Sequence, residues 1–93
     1  MIKQKKTSEE NFLINQAVSL INQKKYQESI DINLKVLSMN PDNSAAYNNI
    51  GFAYGNLRKW DKGIEYCSKA IEINPNFELA KNNLNWMKKE KAK

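Results

Sequence analysis

The amino-acid sequence predicts an all-α fold, a right-handed α-solenoid of antiparallel helix pairs with five helices. Three observations lead to this prediction. The 93-residue chain repeats at a stride of 34 residues, apolar residues recur at helical spacing within each copy, and an Asn-Pro pair ends each copy. A helix pair in every repeat of this length is typical of a solenoid. The composition agrees, because only 3 Gly and 2 Pro interrupt the chain.

The repeat is most visible at Asn40-Pro41 and Asn74-Pro75, which lie 34 residues apart. The same offset aligns five further identical pairs: Asn15 with Asn49, Asn22 with Asn56, Lys25 with Lys59, Ile30 with Ile64, and Lys35 with Lys69. A partial third copy matches Ala46, Asn48, Asn49 and Phe52 with Ala80, Asn82, Asn83 and Trp86. The chain therefore contains two full repeats and the beginning of a third.

Capping and breaking residues place the first two helices. Thr7 and Glu10 form a capping-box pattern, which predicts a helix start near Ser8 after a basic N-terminal tail at residues 1–7. The stretch NQKKY breaks this helix, and a second helix is predicted over residues 27–39. Pro41 ends the second helix because proline cannot continue it and disfavours helical geometry in the residue before it.

The same plan places the remaining helices. We predict a third helix over residues 44–57, a fourth over 61–73, and a fifth over 77–90 that Asn76 caps. The domain prediction is a single domain over residues 8–93, divided into a repeat at 10–43, a repeat at 44–77 and a capping helix at 78–91.

The second copy resembles a tetratricopeptide repeat. It matches the signature of that family at Tyr47, Ile50, Gly51, Tyr54, Ala70 and Pro75. The first copy is in register with the second and fits at Leu13, Ala17, Leu20, Val36 and Pro41, although Gln16, Ser29 and Asn33 depart from the pattern. The resemblance implies two full repeats plus a C-terminal capping helix.

Gly51 marks the expected contact between the two helices of the second repeat. Glycine costs a helix about 1 kcal/mol relative to alanine, so its presence in a helix interior requires a reason. We expect the two antiparallel helices to approach most closely at Gly51, with Gly63 and Ala70 on the opposing helix.

Amide and apolar side chains repeat along the first helix of each unit. In the tetratricopeptide family this face lines a concave groove, so the resemblance implies a groove for an extended peptide segment of a partner protein. Asparagine donates to and accepts from a peptide backbone, and an apolar row accepts side chains. The predicted groove residues are Asn15, Val18, Asn48, Asn49, Phe52, Asn82, Asn83 and Trp86. The alternative is that these amides are solvated and repeat only because the units share an origin.

Family members that hold acidic chaperone tails suggest a narrower function. They use Lys and Asn in the first unit, Asn in the second, and Lys and Arg in the third. This sequence has Ile14 and Val18, then Asn49, then Leu79 and Asn83 at those places. Only Asn49 matches among these five places, so the positive side chains that would hold an acidic tail are absent. This argues against chaperone-tail binding.

Other functions find little support in the sequence. The chain has no His and one cysteine, Cys67, which falls in a packed helical stripe, so we predict no enzyme, no cofactor and no metal site. The net charge of +5 comes from lysines near both ends, which we interpret as solvated termini although basic tails can also contact nucleic acid. Nucleic-acid binding would need basic residues and exposed aromatics together on one face, and only Trp86 with Lys88 and Lys89 approaches this pattern, so we expect no nucleic-acid partner. No apolar run is long enough for a membrane span, and the single cysteine fits a cytoplasmic location.

Two alternatives to the peptide groove remain open. Phe12 stands where later copies carry alanine, so an exposed N-terminal edge would allow a homodimer as a structural self-assembly unit. The second alternative is that the chain is one domain of a larger enzyme and is used for substrate docking.

Overall fold

Five α-helices make up the described part of the protein. The computed structural model describes residues 2–93, with side chains from residue 8 onward. The helices are α1 (Ile2–Asn22), α2 (Tyr26–Met39), α3 (Ser44–Asn56), α4 (Trp60–Ile73) and α5 (Glu78–Ala92). The described residues are 83% helical and contain no strand, so the predicted all-α solenoid is confirmed.

The same type of turn connects the two helices of each pair. Lys24 and Arg58, which are 34 residues apart, adopt left-handed backbone angles with φ of 63° and 65°. In the first pair the Lys25 amide donates to the Leu20 carbonyl at 2.8 Å, and in the second the Lys59 amide donates to the Tyr54 carbonyl at 2.9 Å. This is the Schellman pattern of a helix C-terminus, here with a cation in the place that glycine usually takes.

Asparagine residues organise the turn between the repeats. The Asn43 side chain accepts a hydrogen bond from the Ala46 amide at 3.0 Å and so caps α3. The predicted cap of α5 is wrong. That helix begins at Glu78 with Phe77 in the capping position, and no side chain satisfies its first amides.

The predicted start of the first helix near Ser8 is also wrong, because α1 begins at Ile2. Residues 2–7 of the predicted basic tail therefore belong to α1. The Thr7 side chain and Met1 lie outside the described residues. Glu10 does not cap α1 but connects it to the turn between the two repeats. It is only 7% exposed, and its carboxylate accepts hydrogen bonds from the side-chain amides of Asn40 at 2.8 Å and Asn43 at 3.0 Å.

The predicted close approach at Gly51 is confirmed. A Cβ atom placed on Gly51 would lie 2.5 Å from Cys67 Sγ and 2.9 Å from the Gly63 carbonyl oxygen. A Cβ on Gly63 would in turn collide with the sulfur of Met87 on α5. Three helices therefore meet where side chains are smallest, and the apolar core of Ile30, Ile50 and Ala53 packs beside this contact.

Candidate functional site

A groove lies between the inner faces of α1, α3 and α5. Its volume is about 220 Å³, and it is lined by Val18, Ile21, Asn22, Asn48, Asn49, Phe52, Leu79 and Asn83. The 34-residue spacing explains this arrangement, because it brings equivalent positions of successive first helices side by side.

The groove contains five of the eight predicted residues, namely Val18, Asn48, Asn49, Phe52 and Asn83. Asn15 and Asn82 are exposed on the same helices but do not line this cavity, and Trp86 packs behind Phe52. The lining residues Ile21, Asn22 and Leu79 were missed. Helical spacing could have identified all three, because residues one turn apart lie on the same helix face. Ile21 and Asn22 follow Val18 by one turn, and Leu79 precedes Asn83 by one turn.

Intrachain hydrogen bonds hold several of the groove amides. Asn48 is only 3% exposed, and its side-chain oxygen accepts a hydrogen bond from the Asn83 amide at 3.0 Å, which joins α3 to α5. Asn49 donates to the side-chain oxygen of Asn33 at 3.5 Å, which joins α3 to α2. The amides therefore fix neighbouring helices as well as lining the groove, and Asn48 does so from a buried position.

Aromatic rings support the groove from one side. Phe52 is half-buried, and its ring centre lies 5.9 Å from that of Trp86. Trp86 in turn meets the Trp60 ring edge-on, with centres 5.6 Å apart and an interplanar angle of 89°. Edge-to-face pairs of this kind are favourable beyond the area that they bury. The rings therefore form a continuous row from the groove to the start of α4.

The groove lining carries no ionisable side chain. Its surface offers amide groups together with the side chains of Val18, Phe52 and Leu79, of which Leu79 is 57% exposed. Cys67 lies behind the groove, where burial raises the pKa of its thiol to about 12 and keeps it protonated at neutral pH. The arrangement provides hydrogen bonds and apolar contact, without a nucleophile among the lining residues.

Comparisons with known proteins agree with this architecture. The sequence profile of the Tetratricopeptide repeat matches residues 44–77. No curated protein sequence matches the chain. Among the described residues, no helix combines the length and the apolar character that crossing a membrane requires.

Solved structures with the same fold extend over nearly the whole chain. The C-terminal tetratricopeptide domain of a Plasmodium falciparum FK506-binding protein is 26% identical over 96% of this chain, with a TM-score of 0.85. The Sgt2 domain from Aspergillus fumigatus is 24% identical over 90% of this chain, also with a TM-score of 0.85. This chain spans 59% of the Plasmodium domain and 56% of the Aspergillus domain.

A third structure contains a bound peptide. The second tetratricopeptide domain of Spaghetti (RPAP3), bound to the HSP90 peptide SRMEEVD, is 14% identical over 99% of this chain and 85% of its own length, with a TM-score of 0.88. Tetratricopeptide domains are interaction scaffolds and not a class of enzymes. The repeat profile shows a tetratricopeptide repeat at residues 44–77, and these structures show that the chain has the fold of tetratricopeptide repeat domains.

Proposed function

We propose that the groove between α1, α3 and α5 binds an extended, uncharged stretch of a partner protein. The observation that supports this most strongly is the chemistry of the lining, which combines amides with exposed apolar groups and has no ionisable side chain. An extended backbone has unpaired donors and acceptors that amides satisfy, while alternate side chains of the segment point towards one face. The relatives support the general role, since Spaghetti domains hold a partner peptide.

The partner stretch in the groove is expected to differ from an acidic chaperone tail. The places at which acid-binding members of the family carry cations have the uncharged residues Ile14, Leu79 and Asn83 in this chain. A carboxylate placed against such side chains would lose hydration without gaining a partner charge, which is unfavourable. We therefore propose that apolar side chains of the partner contact Val18, Phe52 and Leu79.

Self-assembly through Phe12 has less support than peptide binding. Phe12 is 68% exposed and borders a depression of about 380 Å³. However, Gln16 and Ser19 beside it are exposed polar residues, whereas the equivalent Ile50 and Ala53 are buried. Because this edge presents mainly polar side chains, the proposal is that it faces solvent.

The test is selection of peptides from a phage-displayed library of random 12-residue sequences, followed by titration of the recovered peptides against variants. Phe52→Ala is expected to weaken binding at least about tenfold, which corresponds to about 1.4 kcal/mol. Asn49→Ala is expected to weaken it less, because its amide is partly engaged by Asn33.

Asn85→Ala is the matched control, since Asn85 is an exposed amide that does not line the groove. Circular dichroism would verify that each variant remains folded. Failure to enrich any peptide, or equal binding by Phe52→Ala and wild type, would contradict the proposed groove.

A further inference from the structure

A second depression, which we call the cationic pocket, lies where α3 turns into α4 and the end of α5 approaches. Its volume is about 490 Å³, and it is lined by Arg58, Lys59, Trp60, Asp61, Lys62 and Lys91. Four cations and one carboxylate surround one indole ring, which contrasts with the uncharged groove.

The positive charge of this pocket is only partly neutralised. Lys91 forms an ion pair with Asp61, and Lys93 pairs with Glu90 at 2.8 Å. The hydrogen bond from Lys93 lowers the pKa of Glu90, and the charge of Arg58 acts in the same direction. The lining thus has four cations and one carboxylate, and the neighbouring Lys93 and Glu90 neutralise each other. Among the described residues no carboxylate pairs with Arg58, Lys59 or Lys62, which leaves a surplus of three positive charges.

Aromatic rings hold two of these cations in place. The Arg58 guanidinium lies over the Trp60 ring, 5.8 Å from its centre, and the Lys62 ammonium lies 5.3 Å from the centre of the Tyr54 ring. The Arg58 backbone is itself fixed in the left-handed turn that ends α3. Cations held in this way lose less conformational entropy when they bind an anion.

The aromatic row connects the cationic pocket to the groove. Phe52 lines the groove, Trp60 lines the cationic pocket, and Trp86 contacts both rings at centre distances of 5.9 and 5.6 Å. The ring centres of Phe52 and Trp60 are therefore no more than about 12 Å apart, a distance that about three to four residues of an extended chain span at about 3.3 Å each.

We propose that the cationic pocket binds acidic residues of the same partner segment, about three residues away from the apolar side chain that contacts Phe52. The inference rests on the proposed groove function and extends it to a bipartite ligand with an apolar part and an acidic part. These cations belong to the α3–α4 turn and the end of α5, and none lies on the groove lining.

A protein segment fits this pocket better than single-stranded nucleic acid. Bases bind to proteins by stacking on open aromatic faces. Trp60 has Arg58 over its ring and Trp86 edge-on against it, so the indole is already engaged. Carboxylates need only the cations, which remain available.

The experiment uses three synthetic peptides and NMR titration of the isotope-labelled chain at low salt. The first peptide is Thr-Leu-Thr-Leu-Gly-Ser-Gly followed by three glutamates. The second ends in three glutamines, and the third consists of the linker and the glutamates alone. We expect the glutamate-tailed peptide to shift amides near both Phe52 and Arg58 and to bind at least about tenfold more tightly than the glutamine-tailed one.

Variants separate the two sites. The double variant Arg58→Asn with Lys62→Gln should abolish the preference for glutamate and leave binding of the glutamine-tailed peptide unchanged. Asparagine is chosen for position 58 because it tolerates left-handed backbone angles. Lys35→Gln, which removes an exposed lysine outside both sites, should keep the preference.

Each remaining outcome overturns a defined proposal. If both tailed peptides bind the groove equally, the cationic-pocket inference is wrong and the groove function stands. If only the Arg58 region responds, or if the third peptide binds as tightly as the first, the two sites do not share a ligand. If no peptide binds, both proposals fail, and tighter binding of a ten-residue oligothymidylate would identify a nucleic-acid surface instead.

Discussion

The two helix pairs use different chemistry at the same contact. In the first repeat the Ser29 hydroxyl donates to the Ala17 carbonyl at 2.9 Å, and the side-chain amide of Asn33 donates to the Ser29 carbonyl at 3.0 Å. Ser29 and Asn33 are both fully buried. In the second repeat the equivalent positions carry Gly63 and Cys67, which pack closely against Gly51, and their one side-chain hydrogen bond among the described residues is the long one from the Cys67 thiol to the Asn48 side-chain oxygen at 3.8 Å.

The comparison shows that the two helices of a repeat can be held together either mainly by buried side-chain hydrogen bonds or mainly by close packing at small residues. Polar groups are tolerated in the first repeat because their partners are present. Among the described residues, no buried side-chain nitrogen or oxygen atom lacks a hydrogen-bond partner. The second repeat depends on shape instead, so its tolerance of added volume should be lower.

The largest expected difference concerns Ile50 and its equivalent in the first repeat, Gln16. Ile50 is fully buried and Gln16 is exposed. Ile50→Ala should lower the free energy of unfolding by about 3 kcal/mol, because it removes buried methyl groups and leaves a cavity. Gln16→Ala should change it by less than about 0.5 kcal/mol. Urea denaturation measures both, and similar losses would contradict the assignment of Gln16 to a solvated edge.

The second-largest expected effect tests the close approach of α3 and α4 at Gly51. Gly51→Ala should lower the free energy of unfolding by about 2 kcal/mol, because overpacking against Cys67 and the Gly63 backbone outweighs the gain in helix propensity. Ala17→Gly, the reverse exchange in the first repeat, should cost about 1 kcal/mol.

Thermal and urea unfolding provide the measurement for the Gly51 exchange. Adding Cys67→Ala to Gly51→Ala should restore part of the stability, since the nearest atom to the new Cβ is the Cys67 sulfur. A Gly51→Ala variant that is more stable than wild type would show that the two helices have room between them.

A smaller effect is expected from the buried hydroxyl of the first repeat. Ser29→Ala should lower the free energy of unfolding by about 1 kcal/mol, because it removes the hydrogen bond from the Ser29 hydroxyl to the Ala17 carbonyl. The loss is moderate because the Ala17 carbonyl keeps its backbone hydrogen bond within α1. Ser68→Ala, at an exposed position of α4, is the control and should have no measurable effect. Equal results for the two serines would mean that the first repeat does not depend on its polar contact.

The last effect is absent at neutral pH and appears only in alkaline solution. Burial raises the pKa of Cys67 from 9.0 to about 12, so the folded state binds this proton more tightly than the unfolded state does. The resulting stability is fully present below pH 9 and is lost as the pH rises towards 12. Burial also raises the pKa of Tyr66, which acts in the same direction.

Urea unfolding of wild type and Cys67→Ala between pH 8 and pH 11 measures the alkaline effect, since about pH 9 is where the unfolded thiol titrates. The stability of Cys67→Ala should fall less steeply with pH. Parallel curves would indicate that the thiol is solvated in the folded protein.

Helical periodicity and breakers were sufficient to predict the five helices, because the prolines and the polar breaks NQKKY and RKW interrupt the apolar pattern at fixed intervals. The start of α1 could not be predicted in this way. A capping box is a local signal, whereas Glu10 is held by Asn40 and Asn43 from a turn 30 residues later in the chain. For the same reason the sequence did not distinguish Asn48, buried and bonded to Asn83, from the exposed Asn15 and Asn82.

The sequence by itself determined the number of helices, their pairing and the face on which amides and apolar groups repeat, because these follow from the 34-residue register and from local backbone preferences. Only the tertiary structure decided which amides are bound within the chain and which charges lie beside the groove. Hydrogen bonds and charge clusters depend on distances between residues far apart in sequence, and those distances are set only when the helices pack.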